Sequence, residues 1–153
     1  YSSHGKNFVL SMLDLARKGL SLKVVDDQQG CPTWARNLAL ASDAVIENWQ
    51  AVGTGKRSGV YHYCDDRALS WYDFARTIFS LAVRAGLLDG EPDLIPVPGS
   101  DFPQPAVRPK WSVLDSNRVA GAFNIHPASF VQSRQAVIDQ IKTRELIQDT
   151  TPV

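Results

Sequence analysis

The feature that most constrains the fold of this chain is a short apolar run that ends in polar residues and then turns into a helix. Leu20–Val25 alternates in hydropathy and is β-branched towards its end, which predicts a strand. The run is followed by Asp26-Asp27-Gln28-Gln29, and Gly30 and Pro32 then form a turn before Thr33, which can cap a helix. Open α/β folds bind ligands where a strand ends and a helix begins. The alternative is an ordinary polar turn with a helix cap.

Helix- and strand-forming stretches alternate along the rest of the chain. Periodicity and capping residues predict helices at 7–18, 33–49, 70–85, 115–123 and from 129 onward, and strands at 20–25, 60–64 and 93–97. The second helix is expected to bury Leu38, Ala41, Val45, Ile46 and Trp49. Loops are expected at 53–59 and 96–109, and prolines mark the strand at 93–97 as an edge strand. This order predicts an α/β domain with parallel strands over 1–147 and a frayed tail at 148–153.

Composition excludes several classes of protein. A length of 153 residues allows one core, and 44% hydrophobic and 21% charged residues are typical of a globular protein. Sixteen basic residues balance sixteen acidic ones, which argues against a nucleic-acid or anionic-membrane partner. No apolar run reaches the roughly 20 residues of a membrane span. The default localisation is cytoplasmic, where Cys31 and Cys64 are expected to be reduced, although a disulfide stays open.

Four ordered motifs run along the chain. They are D-D-Q-x-G-x-P-T at 26–33, preceded by Y-x-x-x-G-K-N-F at 1–8, then G-V-Y-H at 59–62, S-W-Y-D-F-A at 70–75 and P-A-V-R-P-x-x-S-x-L at 105–114. Together they resemble the dTDP-4-dehydrorhamnose reductases, in the extended short-chain dehydrogenase/reductase family, from Tyr1 to about Ile141. The resemblance implies the C-terminal substrate-binding part of a Rossmann-type α/β fold, without the N-terminal cofactor-binding part.

The resemblance also implies an activity for the intact enzyme. Family members reduce the C4 keto group of dTDP-4-dehydro-L-rhamnose with NADPH or NADH, in dTDP-L-rhamnose and polysaccharide biosynthesis. The family's glycine-rich cofactor loop is missing here, and none of the four tyrosines has a lysine four residues later, as the family's catalytic Y-x-x-x-K pair requires. We therefore expect a portion of an oxidoreductase that has no catalytic residue and is inactive alone. NADPH oxidation above a substrate-free control would contradict this.

The candidate substrate-binding residues come from the motifs and from the chemistry of their side chains. Gln28 can both donate and accept hydrogen bonds, as the imide edge of a pyrimidine requires. Arg108, in an extended loop before Pro109, can clamp a diphosphate, or can instead tie the loop to its own domain. The helix start at Asn7 favours an anion, whereas Phe8 is an aromatic edge or a core residue. The full set is Asn7, Phe8, Asp27, Gln28, Gly30, Pro32, Thr33, Arg108 and Ser112.

No metal site is predicted. The three histidines share no ligand spacing. Some members of the family join subunits through magnesium held partly by an acidic residue early in the helix after P-T. Here that position reads Trp34-Ala35-Arg36, which makes magnesium doubtful. The sequence leaves open whether the chain forms a homodimer. The other expected partners are the dTDP-sugar and the missing N-terminal Rossmann half. The four tryptophans are interpreted as packing or interface residues, with Trp111 as an exception because it lies in the loop that carries Arg108.

Two other functions compete with the reductase. One is a non-catalytic regulatory module of the same fold, like the β subunit of methionine adenosyltransferase, and Y-x-x-x-K just upstream of Tyr1 would argue against it. The other is a related sugar-nucleotide epimerase or dehydratase. The motifs D-Q-x-G-x-P-T and R-P-x-x-S favour the reductase branch.

Overall fold

Helices and short strands alternate along most of the protein. The computed structural model describes residues 1–52, 58–102 and 105–149. Its elements are α1 (Phe8–Arg17), β1 (Leu22–Val25), β2 (Gln29–Gly30), α2 (Ala35–Val52), β3 (Leu69–Ser70), α3 (Trp71–Ala85), β4 (Leu94–Val97), a 3₁₀ turn (Gly99–Asp101), α4 (Asn117–Phe123) and α5 (Phe130–Asp149). The predicted α/β class is confirmed. None of the described helices is both long enough and apolar enough to cross a membrane.

Two small sheets connect distant parts of the chain. β1 and β4 pair in parallel, in register from Leu22 with Leu94 to Val25 with Val97. This register confirms the predicted parallel pairing and the strand that was predicted at 93–97. β2 and β3 form an antiparallel pair of two residues each. That second pair was not predicted, since two residues are too few to show an alternating pattern.

α3 is the central element of the core. Its buried residues are Phe74, Ala75, Ile78, Phe79, Leu81 and Ala82. They include all four residues that the helical periodicity of the sequence predicts as its apolar face, which are Phe74, Ile78, Leu81 and Ala82. It packs against α1, β1 and α5, and α5 contributes Phe130, Val137, Ile138 and Ile141. The Ser70 hydroxyl accepts a hydrogen bond from the Asp73 N–H at the start of α3, and Gly86 ends the helix in the left-handed conformation at φ 75°. The predicted limits of this helix are therefore confirmed.

The segment at 60–64 was predicted as a strand and is not one. A strand requires a neighbouring backbone to pair with. Here the Cys64 N–H instead donates to the Ser116 hydroxyl, and the Arg118 guanidinium lies 4.8 Å from the centre of the Tyr61 ring. Contacts with the side chains of Ser116 and Arg118, rather than strand pairing, therefore hold this segment.

The predicted buried face of α2 is also wrong in part. Ala41 is buried, but Leu38 and Ile46 are 49% and 55% exposed. α2 packs against the short helix α4, and this contact leaves Leu38 and Ile46 exposed. An amphipathic pattern shows which side of a helix is apolar but not what lies against that side.

Several predicted boundaries shift. β1 begins at Leu22, which leaves Leu20 exposed, and α2 begins at Ala35. α5 continues through Asp149, two residues past the predicted domain end at 147. Residues 150–153 of the predicted tail and 53–57 of the predicted polar loop lie outside the described residues. The division at 147 therefore stays a prediction.

Candidate functional site

A cavity of about 750 Å³ lies at the carboxyl ends of the parallel strands β1 and β4. Its lining includes Lys23, Val24, Val25, Asp27 and Gln28 on the β1 side and Pro98, Gly99, Ser100 and Phe102 after β4. Phe8 and Met12 of α1, Trp71 of α3 and residues 106–108 and 110 complete it. The volume lies within the range of small-molecule sites, and the position is the one at which parallel sheets bind ligands.

Asp26 and Asp27 follow β1 and fix two different walls of this cavity. The Ser70 hydroxyl donates to Asp26 Oδ1 over 2.6 Å while it caps α3. The Gly99 N–H donates to Asp27 Oδ1 over 2.8 Å, which joins the end of β1 to the turn after β4. Successive residues of an extended chain point in opposite directions, so one carboxylate holds the helix and the other the loop.

The other Asp27 oxygen faces a lysine. Lys110 Nζ lies 3.9 Å from Asp27 Oδ2, in an ion pair that is largely exposed on the lysine side. Such a pair contributes little to stability, which leaves the lysine available to another anion. Lys23, Arg108 and Lys110 line the cavity beside the single carboxylate of Asp27. This excess of positive charge favours an anionic ligand.

Gln28 lies against a glycine that leaves room for its side chain. A Cβ atom added to Gly99 would lie 2.6 Å from Gln28 Nε2 and 3.2 Å from Asp27 Oδ1. Any other residue at position 99 would therefore push the Gln28 amide out of its place. This close approach keeps a donor and an acceptor at the cavity wall.

Aromatic rings form a further wall. The rings of Phe8 and Trp71 lie 4.9 Å apart at 55°, and Phe8 stacks on the buried Phe74 at 5.4 Å and 18°. Trp71 is nevertheless 38% exposed. Trp71 was interpreted from the sequence as a packing or interface residue. The contact that brings it to the cavity, Ser70 to Asp26, spans 44 residues and has no local signal in the sequence.

Four of the nine sequence-predicted site residues meet in this cavity. They are Phe8, Asp27, Gln28 and Arg108. Asn7, Gly30, Pro32, Thr33 and Ser112 are not part of its lining. Asn7 is instead fully used in capping α1: its Oδ1 accepts from the N–H groups of Val9 and Leu10, and its Nδ2 donates to the carbonyls of Ser2 and His4.

Gly30 and Ser112 hold the loop after Arg108 against β2. The Ser112 hydroxyl and N–H both donate to the Gln29 carbonyl, over 3.0 and 2.8 Å. A Cβ at Gly30 would lie 3.0 Å from Ser112 Oγ, so glycine permits this approach. Both residues therefore position the loop that carries Arg108.

Thr33 was predicted to cap α2, and that prediction is wrong. Its hydroxyl donates to the Cys31 carbonyl and accepts from the Asp65 N–H. The buried Asp65 carboxylate takes the capping role, because it accepts from the Trp34 N–H over 3.2 Å and from Asn37 Nδ2 over 3.0 Å. Burial raises the pKa of Asp65 above its ordinary value, although these hydrogen bonds oppose the shift.

Two thiols lie near this network. Cys31 and Cys64 are both free, and burial together with the neighbouring Cys64 raises the pKa of Cys31 to about 12. A protonated, desolvated thiol is a poor nucleophile. Within residues 1–52, 58–102 and 105–149, no group of three or more His, Cys, Asp or Glu side chains is arranged to hold a metal ion.

Comparison with known proteins gives consistent matches. The family described as RmlD substrate binding domain matches residues 1–143. A dTDP-4-dehydrorhamnose reductase from Aggregatibacter actinomycetemcomitans is 36% identical over 130 residues, which are 85% of this chain and 44% of that protein. The chain therefore spans less than half the length of this curated relative.

Solved structures agree with these matches. A dTDP-4-dehydrorhamnose reductase from Clostridium acetobutylicum is 33% identical with a TM-score of 0.77, over 90% of this chain and 45% of that one. One from Bacillus anthracis, solved in complex with NADP, is 27% identical with a TM-score of 0.76, over 92% and 45%. The described fold is thus found as a portion of larger proteins.

Proposed function

Because this chain belongs to the family of RmlD substrate binding domains, we propose that it holds the dTDP-sugar substrate of a dTDP-4-dehydrorhamnose reductase. The membership confirms the resemblance and the fold class predicted from the four motifs. The observation that carries the proposal is the cavity at the ends of β1 and β4, where Gln28 and Arg108 meet.

The lining suits the parts of a dTDP-sugar. Arg108 can give a diphosphate two parallel charge-assisted hydrogen bonds, with Lys23 and Lys110 adding positive charge. The Gln28 amide offers the donor and acceptor that the imide edge of thymine needs. Asp26 and Asp27, together with Gly30 and Ser112, hold the walls that carry these groups. Such fixed placement supports the proposed role of orienting a ketone for reduction.

We expect the nicotinamide cofactor to be bound by a part of the enzyme other than this chain. The NADP of the Bacillus anthracis relative belongs to a chain more than twice as long. No G-x-x-G-x-x-G pattern and no Y-x-x-x-K pair occur among these 153 residues. We therefore assign no residue of this chain to cofactor binding or to proton transfer, and its inactivity as a reductase when alone stays a prediction.

Replacing Arg108 tests the proposed function. We expect Arg108→Ala to weaken dTDP binding, measured by calorimetric titration of this chain, about 10- to 100-fold, because hydrogen bonds to a charged group contribute about 1.5–3 kcal/mol. Arg76→Ala is the matched control, since Arg76 is exposed, pairs with Asp73 and lies outside the cavity lining. Equal losses in both variants, or binding of NADPH but not dTDP, would contradict the proposal. Binding of neither would favour the regulatory module.

Gly99→Ala tests the contribution of Gln28 without removing its side chain. The added methyl group should displace the Gln28 amide and weaken dTDP binding about 5- to 10-fold, which corresponds to one lost hydrogen bond. The free energy of unfolding should change little, because the displaced group is the end of a flexible side chain. Gly90→Ala is the control, since a Cβ at Gly90 would meet nothing within 4 Å. An unchanged dTDP affinity would show that the Gln28 amide makes no bond to the ligand.

A further inference from the structure

We propose that the indole ring of Trp71, backed by Phe8, is the platform on which the pyrimidine base of the nucleotide stacks. This inference rests on the proposed function and adds to it a position for the base. The residue is absent from the substrate-binding set predicted from the sequence.

Trp71 is exposed where an aromatic ring would ordinarily be covered. It is the first residue of α3, lines the cavity and keeps 38% of its surface accessible, whereas Phe74 on the next turn is only 1% exposed. Aromatic residues exposed in a concave site are a common means of binding flat ligands. The described fold leaves the Trp71 ring accessible from the cavity.

The platform is held firmly from behind. Phe8 contacts Trp71 at 4.9 Å and stacks on Phe74, which in turn packs edge-on against Phe130 and Tyr1. These rings connect the cavity wall to the centre of the core. A surface that is already ordered costs little conformational entropy when a ligand binds to it.

The backbone of Trp71 is fixed as well. Ser70, which is 1% exposed, caps α3 and donates to Asp26 Oδ1 over 2.6 Å. The acidic turn that precedes Gln28 therefore also positions the ring. Through this contact, the backbone next to Trp71 is tied to the same turn, at 26–28, that carries Gln28.

The distribution of the lining groups indicates a base rather than a phosphate on this wall. Phe8 and Met12 of α1 and Trp71 of α3 supply apolar and aromatic surface, whereas the ion pair of Asp27 with Lys110 is formed by residues outside these helices. An aromatic face binds a planar nucleobase by stacking, and alanine substitutions show that such stacking makes a substantial contribution. The base would stack on Trp71, and its imide edge would face the Gln28 amide.

Calorimetric titrations with two probes separate the base from the diphosphate. We expect Trp71→Ala to weaken dTDP binding by about fivefold or more while leaving the affinity for inorganic pyrophosphate unchanged. Trp71→Phe, which keeps a stacking ring, should retain most of the dTDP affinity. Trp111→Ala is the matched control, because Trp111 is 65% exposed and is not in the lining.

Fluorescence provides a second readout that does not require the alanine variant to fold. Saturating dTDP should quench tryptophan emission in the parent chain and in Trp111→Phe, and this quenching should be lost in Trp71→Phe. Equal dTDP affinity in Trp71→Ala and the parent chain, with a loss in Arg108→Ala, would overturn this inference alone. Quenching that persists in Trp71→Phe would also overturn it. Absence of dTDP binding to the parent chain would overturn the proposed function and the inference with it.

Discussion

Replacing Phe74 with alanine should lower the free energy of unfolding by about 3–5 kcal/mol, the cost of removing a fully buried aromatic ring. Phe74 is 1% exposed and touches the rings of Tyr1, Phe8 and Phe130, so it joins α3 to α1 and α5. Neighbouring side chains cannot all move into the space that it leaves, because each is fixed on a different element. Urea unfolding followed by circular dichroism would measure the change.

The matched control for this substitution is Phe102→Ala. Phe102 is the same residue type but is 42% exposed. We expect a destabilisation of no more than about 1 kcal/mol, because much of the ring is already in water. If the two variants were destabilised equally, Phe74 would not be the centre of the core.

Asp65→Ala should lower the free energy of unfolding by about 3 kcal/mol. The substitution removes the acceptor of the half-buried Trp34 N–H and one of the two acceptors of Asn37 Nδ2, which also donates to the Ser133 hydroxyl. A donor left unpaired costs about 1–3 kcal/mol, and the lost carboxylate bond of Asn37 adds to that cost. The start of α2 would then lose its side-chain cap. Asp43→Ala, at an exposed position within α2, is the control and should change stability by less than about 0.5 kcal/mol. Equal stability of Asp65→Ala and the parent chain would contradict this role.

The effect of Asp65→Ala should also depend on pH. Burial raises the pKa of Asp65 in the folded chain above the ordinary value of 3.8, so the folded state holds this proton more tightly than the unfolded state. The resulting stabilisation is fully present below pH 3.8 and is lost as the pH rises through the folded-state pKa. The stability difference between the parent chain and Asp65→Ala should therefore be larger in acid than at pH 7. A difference that grew with rising pH would contradict the direction of the shift.

Features that depend on neighbouring residues could be predicted from the sequence. The limits of α3 follow from a Ser70 cap, an apolar repeat and Gly86, all within 17 residues. The alternation of short strands with helices predicts that β4 and β1 pair in parallel, as they do. The polar turn at 26–28 was singled out from the sequence because ligands bind at strand ends in this class of fold, and Asp27 and Gln28 line the cavity. Their role in binding stays a prediction.

Features that depend on distant residues could not be predicted. Neighbouring elements of the fold decide whether 60–64 pairs as a strand. They also decide whether Leu38 is buried. The cap of α2 comes from Asp65, 31 residues after Trp34, so Thr33 was the nearest local candidate but not the one used. Trp71 reaches the cavity for a similar reason, since the contact between Ser70 and Asp26 is long-range.

Pro96 in β4 and Pro98 just after it also determine how the sheet can grow. The Leu22 N–H donates to the Asp93 carbonyl and the Asp26 N–H to the Val97 carbonyl, so residues 93, 95 and 97 turn their backbone groups towards β1. The alternate positions 96 and 98, which face outward, are both proline and have no N–H to offer. The outer edge of β4 is thereby protected against strand addition and edge-to-edge aggregation. Within the described residues the other edge of β1 pairs with no strand, so that edge is the side where another strand can join.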